Sequence, residues 1–145
     1  MFNEELAFDT VINPGHVVIT LPLRTLSPNQ SEPWRKRYAR EKAQRRAVMF
    51  AMIAVKEKIL QSCFAEATNA TGKIRLRFTR YAPKGLDAHD NLPMSVKKIC
   101  DQVCAEIMCD YVPGRADGAS CFEFEYAQVK TKAKLYGVKI EIMFG

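Results

Sequence analysis

The segment Lys73-Ile74-Arg75-Leu76-Arg77-Phe78-Thr79-Arg80-Tyr81 leads into Lys84-Gly85-Leu86-Asp87-Ala88-His89-Asp90-Asn91-Leu92-Pro93, and the two together decide the fold. The first part alternates basic and apolar side chains, the period of a half-buried strand. Ile74, Leu76 and Phe78 then form a core face, with Lys73, Arg75 and Arg77 on a positive one. The second part is a short polar loop with two carboxylates, followed by helix-start chemistry. Asp90 or Asn91 can cap that helix, and Pro93 falls in its first turn, where a missing N–H costs nothing. From Leu92 onward, Val96, Ile99, Cys100, Val103, Cys104, Ile107 and Met108 recur as one buried helical stripe. Asp90, Lys97 and Asp101 fall together on the opposite, exposed side.

Outward from this unit, the pattern repeats on both sides. Upstream, His16-Val17-Val18-Ile19-Thr20-Leu21-Pro22-Leu23 is rich in β-branched residues and reads as the first strand, ending or lying at an edge by Pro22. The residues before it read as a loosely ordered lead-in. Leu26-Ser27-Pro28-Asn29-Gln30-Ser31 is turn chemistry, with Ser31 as a helix cap and Pro33 in the first turn. One long helix, or two in tandem, then runs over 34–64. Its apolar half has Val48, Met52, Val55 and Ile59 as a stripe, widened by Met49, Phe50 and Ile53. Downstream, an irregular loop over 109–120 precedes two strands, one near 122–128 and one over 137–144. The chain is therefore expected to be an α/β (α+β) protein of a single domain over 1–145. Its predicted form is a two-layer sandwich with one mixed four-stranded sheet and two main helices, in the order β-α-β-α-β-β.

Composition narrows the function classes. The 145 residues are 48% hydrophobic and 26% charged, as in a soluble globular protein. No apolar run is long enough to span a membrane. The first residues carry Glu4, Glu5 and Asp9 and no basic leader, so no signal peptide is expected. Five cysteines, an odd number, without a secretion signal imply reduced thiols and a cytoplasmic protein. Structural zinc is disfavoured, because no C-x-x-C occurs and Cys100 and Cys104 lie on the apolar stripe.

The net charge of +6 favours a polyanionic partner. Much of it lies in the first helix, where Arg35, Lys36, Arg37, Arg40, Lys42, Arg45 and Arg46 are interrupted only by Glu41. A solvated helix face is the plain reading of such a run. Arg35, Arg37, Arg40, Lys42, Arg45 and Arg46, with Arg75 and Arg77 from the strand, are the candidate phosphate-binding cations. Trp34 and Tyr38 read as core or helix-anchoring aromatics rather than base-stacking platforms, which need an exposed face.

The carboxylates suggest a second chemistry. Asp87 and Asp90 repel each other when close unless a positive group intervenes. A divalent cation is such a group, and oxygen-only ligands suit Mg²⁺ or Mn²⁺. The alternative is an ordinary capped turn. Lys97 either faces a developing negative charge or simply pairs with Asp101 one turn on.

Several of these motifs in order resemble the RusA-type crossover-junction endodeoxyribonucleases, particularly those of phages and prophages. The resemblance covers most of the chain. It rests on the early strand leading into Leu26-Ser27-Pro28-Asn29, on Trp34 and the basic helix, and on Leu86-Asp87-x-His89-Asp90-Asn91-Leu92-Pro93 with Lys97 and Asp101. A later acidic turn at Asp117-Gly118, the strand ending Tyr126-Ala127-Gln128 and a final strand complete it. The resemblance implies Mg²⁺ held by Asp87, Asp90 and Asp117, assistance from Lys97, and a homodimer that cuts four-way DNA junctions. The aspartate spacing departs from the family pattern, being D-x-x-D here, and the loop before Asp117 is long. Asp110 is the alternative third ligand.

Overall fold

Alternation along the strands sorts the molecule into two faces. The computed structural model describes residues 9–13, 15–27, 31–58, 74–107 and 122–144. Within them the elements run β1 (Thr10–Asn13), β2 (His16–Leu21), α1 (Trp34–Lys58), β3 (Ile74–Ala82), α2 (Asn91–Ser95), α3 (Lys97–Ile107), β4 (Phe122–Lys130) and β5 (Gly137–Phe144). The strands form one sheet in the order β1-β2-β5-β3-β4. Only β3 and β4 are parallel, joined by a crossover containing α2 and α3; the other pairs are antiparallel.

The register aligns Val17, Ile142, Leu76 and Phe124 across the sheet, and Ile19, Ile140, Phe78 and Tyr126 in the next row. These residues share one face and build the core with Val48, Met52 and Val55 of α1 and Val96, Ile99, Val103 and Cys104 from the α2–α3 stretch. The described helices thus cover the same side, and α1 packs against α3. No helix among the described residues is long and apolar enough to cross a membrane.

The mixed sheet and the order of elements along the chain after Trp34 roughly agree with the expectation, but the counts do not. The sheet has five strands rather than four, and three helices are described rather than two. The fifth strand is Thr10–Asn13, expected to be loose. It gains order by pairing with β2, with Asn13 opposite His16 across a turn that includes Gly15 at φ 77°. A positive φ is the conformation that glycine adopts without steric cost. The second helix divides because Val96 leaves helical geometry, with φ −109° and ψ 10°.

Three burial expectations are also overturned. Trp34 and Tyr38, read as core or anchoring aromatics, are exposed at 72% and 56% on the first turns of α1. Met49, Phe50 and Ile53 are exposed at 43%, 71% and 58%, because the core stripe of α1 is narrower than its apolar composition suggests. Asp101 is buried rather than on an open face, since α3 is covered by α1 as well as by the sheet. Residues 59–64 of the expected long helix lie outside the described residues.

Candidate carboxylate loop and basic cleft

Parallel neighbours end at the same edge of a sheet, and ligands commonly bind beyond the carboxyl ends of such strands. The loop carrying Asp87 and Asp90 leaves β3 at that edge, beside the end of β4. Two inward-facing polar side chains fix it. Gln128, two residues past Tyr126 on the core side of β4, accepts the Leu86 N–H at 2.8 Å and donates Nε2–H to the Leu86 carbonyl at 2.6 Å. Arg80, on the core side of β3, donates Nη1–H to the Lys84 carbonyl at 2.6 Å. The peptide immediately before Asp87 is therefore held from the neighbouring strand.

Asp87 then caps the turn. Its carboxylate accepts the backbone N–H groups of His89, Asp90 and Asn91 at 3.1, 3.3 and 3.2 Å. Hydrogen bonds from Asn91 and then His89 hold its carboxyl below the usual carboxylate range. Either Asp90 or Asn91 was expected to supply this cap. Asp90 occupies the cap position but makes no side-chain capping bond, because Asp87 has already taken the free N–H groups. Leu92 N–H bonds to the Asp87 carbonyl at 2.9 Å and Met94 N–H to the Asp90 carbonyl at 3.2 Å, so the acidic turn runs straight into α2.

One turn further lies an open cleft of about 220 Å³ between α1 and the start of α3. Arg37 and Arg40 reach it from α1, and Lys97 and Lys98 from α3, with Glu41 as its acidic group. Lys97 donates Nζ–H to Asp101 at 2.9 Å, so the structural pairing weighed from the spacing is present, while its side chain stays 42% exposed. Arg40 pairs with Glu32, and Arg37 Nε lies 3.7 Å from the same carboxylate. Those contacts, led by the Arg40 hydrogen bond, hold the Glu32 carboxyl below its usual range. Arg40 Nε is buried without a hydrogen-bond partner. Gln44, buried behind the cleft, donates to the Arg24 carbonyl at 2.8 Å and ties α1 to the segment leaving β2. Burial first, then the Cys100 thiol, pushes the Tyr126 hydroxyl up to about 12, against the opposing charge of Lys97, so this phenol stays neutral.

The other expected cations separate. Arg35, Lys42 and Arg46 are exposed on α1 and Arg45 is half-buried, and none of them lines the cleft. Arg35 packs over the Trp34 ring at 5.4 Å. Arg75 and Arg77 lie on the face of the sheet away from the helices. Arg77 donates to Glu125 at 2.9 Å and to Glu141 at 3.3 Å, and Arg75 lies 3.9 Å from Glu125. Asp117 and its alternative Asp110 lie outside the described residues. Among the described residues no group of three or more His, Cys, Asp or Glu side chains is placed to hold a metal ion. The sequence reading assigns no site role to Lys98 or Gln44, quotes Gln128 only as the end of its strand, and takes Arg80 only as a member of the basic strand expected over 73–80. The last two had a signal: each is a polar residue at the inward position of an alternating strand.

No protein-family model matches the chain, and no curated protein is similar to it at a significant level.

Proposed function

We propose that this chain is an endodeoxyribonuclease of the RusA type, which binds four-way DNA junctions as a homodimer and cleaves them by Mg²⁺-assisted phosphodiester hydrolysis. The observation that carries the reading is the cleft in which Arg37 and Arg40 meet Lys97 and Lys98, one helical turn from an acidic loop. Cations converging from two helices suit a phosphate backbone, whose contacts give affinity without reading sequence.

The donor chemistry fits the metal. Asp87 and Asp90 offer hard oxygens, and three accepted N–H bonds leave Asp87 part of its roughly four lone-pair sites. Asp117, or Asp110, would complete the set. Bound there, Mg²⁺ or Mn²⁺ supplies Lewis-acid polarisation of the phosphate. Lys97, steadied by Asp101, stabilises negative charge that builds on the phosphate. Arg37, Arg40 and Lys98 hold the strand. Cutting two strands needs two sites, for which a two-fold dimer is the natural assembly.

A labelled four-way junction and a linear duplex, each incubated with Mg²⁺ or with EDTA, test this. Junction cleavage in Mg²⁺ is expected, abolished by Asp90→Asn with binding retained; cleavage unchanged by Asp90→Asn ends the assignment. A second reading, a catalytically weak or inactive junction-binding protein of the same fold, is favoured by the capping role of Asp87. It predicts equal binding in Mg²⁺ and EDTA and no cutting.

A further inference from the structure

A second cavity, of about 230 Å³, opens between the end of β3 and the segment that leaves β2. Three cations reach it, Arg24, Arg80 and Lys84, together with the ring of Tyr136, over an apolar wall of Leu26 and Ala82. Among the described residues no carboxylate lines it.

Arg80 is the unusual member, at 5% exposure. Its Nε–H goes to Thr25 Oγ1 at 2.9 Å, Nη2–H to the Thr25 carbonyl at 3.2 Å and Nη1–H to the Lys84 carbonyl at 2.6 Å. All three acceptors are neutral oxygens. A guanidinium has five N–H donors and does not release its proton, so two donors and the whole positive charge remain. Buried charge is costly unless it is paired, yet no carboxylate pairs with Arg80 among the described residues. Arg24 adds a pre-positioned cation, its guanidinium 4.6 Å from the Tyr136 ring centroid. Two remaining donors on a buried guanidinium, a second, stacked guanidinium and an amine around one small cavity match a tetrahedral oxyanion.

We infer that this cavity is a phosphate-binding site, taking either the phosphodiester of a nucleic-acid strand or free phosphate. Leu26 lines both this cavity and the basic cleft, so a strand bound here continues towards Arg37 and Arg40. The inference needs anion binding only and stands apart from the nuclease reading.

The test is a titration of the full chain, followed by amide chemical shifts, with inorganic phosphate and separately with oligothymidylate, at ionic strength held constant with chloride. Saturable shifts at Thr25, Lys84 and Tyr136 are expected. The double variant Arg24→Ala/Lys84→Ala should weaken binding at least tenfold while keeping its thermal midpoint; Arg80 is left intact because it also holds Thr25 and Lys84. Lys36→Ala, an exposed charge on α1, should change the affinity less than twofold. Tighter binding of oligothymidylate than of phosphate assigns the site to a strand, and the reverse order assigns it to free phosphate. Shifts no larger than those with chloride, or a double variant that binds like the parent, overturn the inference. Asp90→Asn should keep this binding even where cleavage is lost, which separates the two readings.

Discussion

The carboxylate oxygens of Asp87 accept three backbone N–H groups. Those N–H bonds favour the ionised form, so the folded carboxyl titrates below its unfolded counterpart. The resulting stabilisation is complete above the unfolded carboxylate pKa, about 3.9. It fades as pH falls through the lower folded value. Asp87→Ala should therefore lower the urea midpoint at neutral pH, and the gap from the parent should narrow on acidification. A gap that widens in acid contradicts the capping role. Glu141 behaves similarly on the other side of the sheet. Burial pushes its carboxyl up, but the His16 hydrogen bond and the charges of Lys139 and Arg77 outweigh burial and leave it low. Its contribution too is present above the unfolded value and lost in acid. Arg77→Met should cost about 1–2 kcal/mol by urea melt, less than full burial implies, because Arg77 is 38% exposed and His16 and Lys139 remain.

At the scale of elements, β4 positions the loop that β3 delivers. Gln128→Ala removes both bonds to the Leu86 peptide, and a loss of about 1–3 kcal/mol with faster amide exchange at Leu86 is expected. Gln128→Glu should not rescue it, because a carboxylate cannot donate to the Leu86 carbonyl. The two sets of arginines should likewise separate in DNA binding. Charge reversal at Arg37 and Arg40 should flatten the dependence of log affinity on log salt by about 2, while reversal at Arg75 and Arg77 should leave the slope unchanged. Equal effects from both pairs would place DNA on both faces of the sheet. How far such placement was legible depends on the element. Period-two alternation in β3 and the apolar stripe of α3 marked their core faces directly. Arg80 and Gln128 fall at core parity in their strands, but charge or polarity alone does not say which neighbour satisfies them. Thr10–Asn13 was unreadable because a four-residue edge strand owes its form to its partner, although Pro14-Gly15 is a turn signal. Met49, Phe50 and Ile53 misled because composition gives the width of an apolar surface and not the angle at which the helix lies down.

Across the whole molecule the charge is unevenly spread. Among the described residues on the open face of the sheet, Arg75, Arg77 and Lys139 are matched by Glu123, Glu125 and Glu141, three against three. The basic cleft and the cavity beside Arg80 take part of the chain's net charge of +6. This polarity gives an approaching polyanion a preferred side. The proposed junction-cutting assembly should sediment at twice the 16.5 kDa chain mass, and a monomer that still cuts both strands in one encounter would contradict it.

The position of β5 has a consequence for synthesis. It lies between β2 and β3, and it is the strand that joins the early hairpin to the β3–β4 pair within the sheet. His16 meets Glu141, 125 residues later, across this seam. On a ribosome adding about 5–20 residues per second, the nascent hairpin waits roughly 6–25 s for its mate. Until then its bonding edge is open, and a chaperone that shields it would guard the growing polypeptide against pairing with a neighbour on the same messenger.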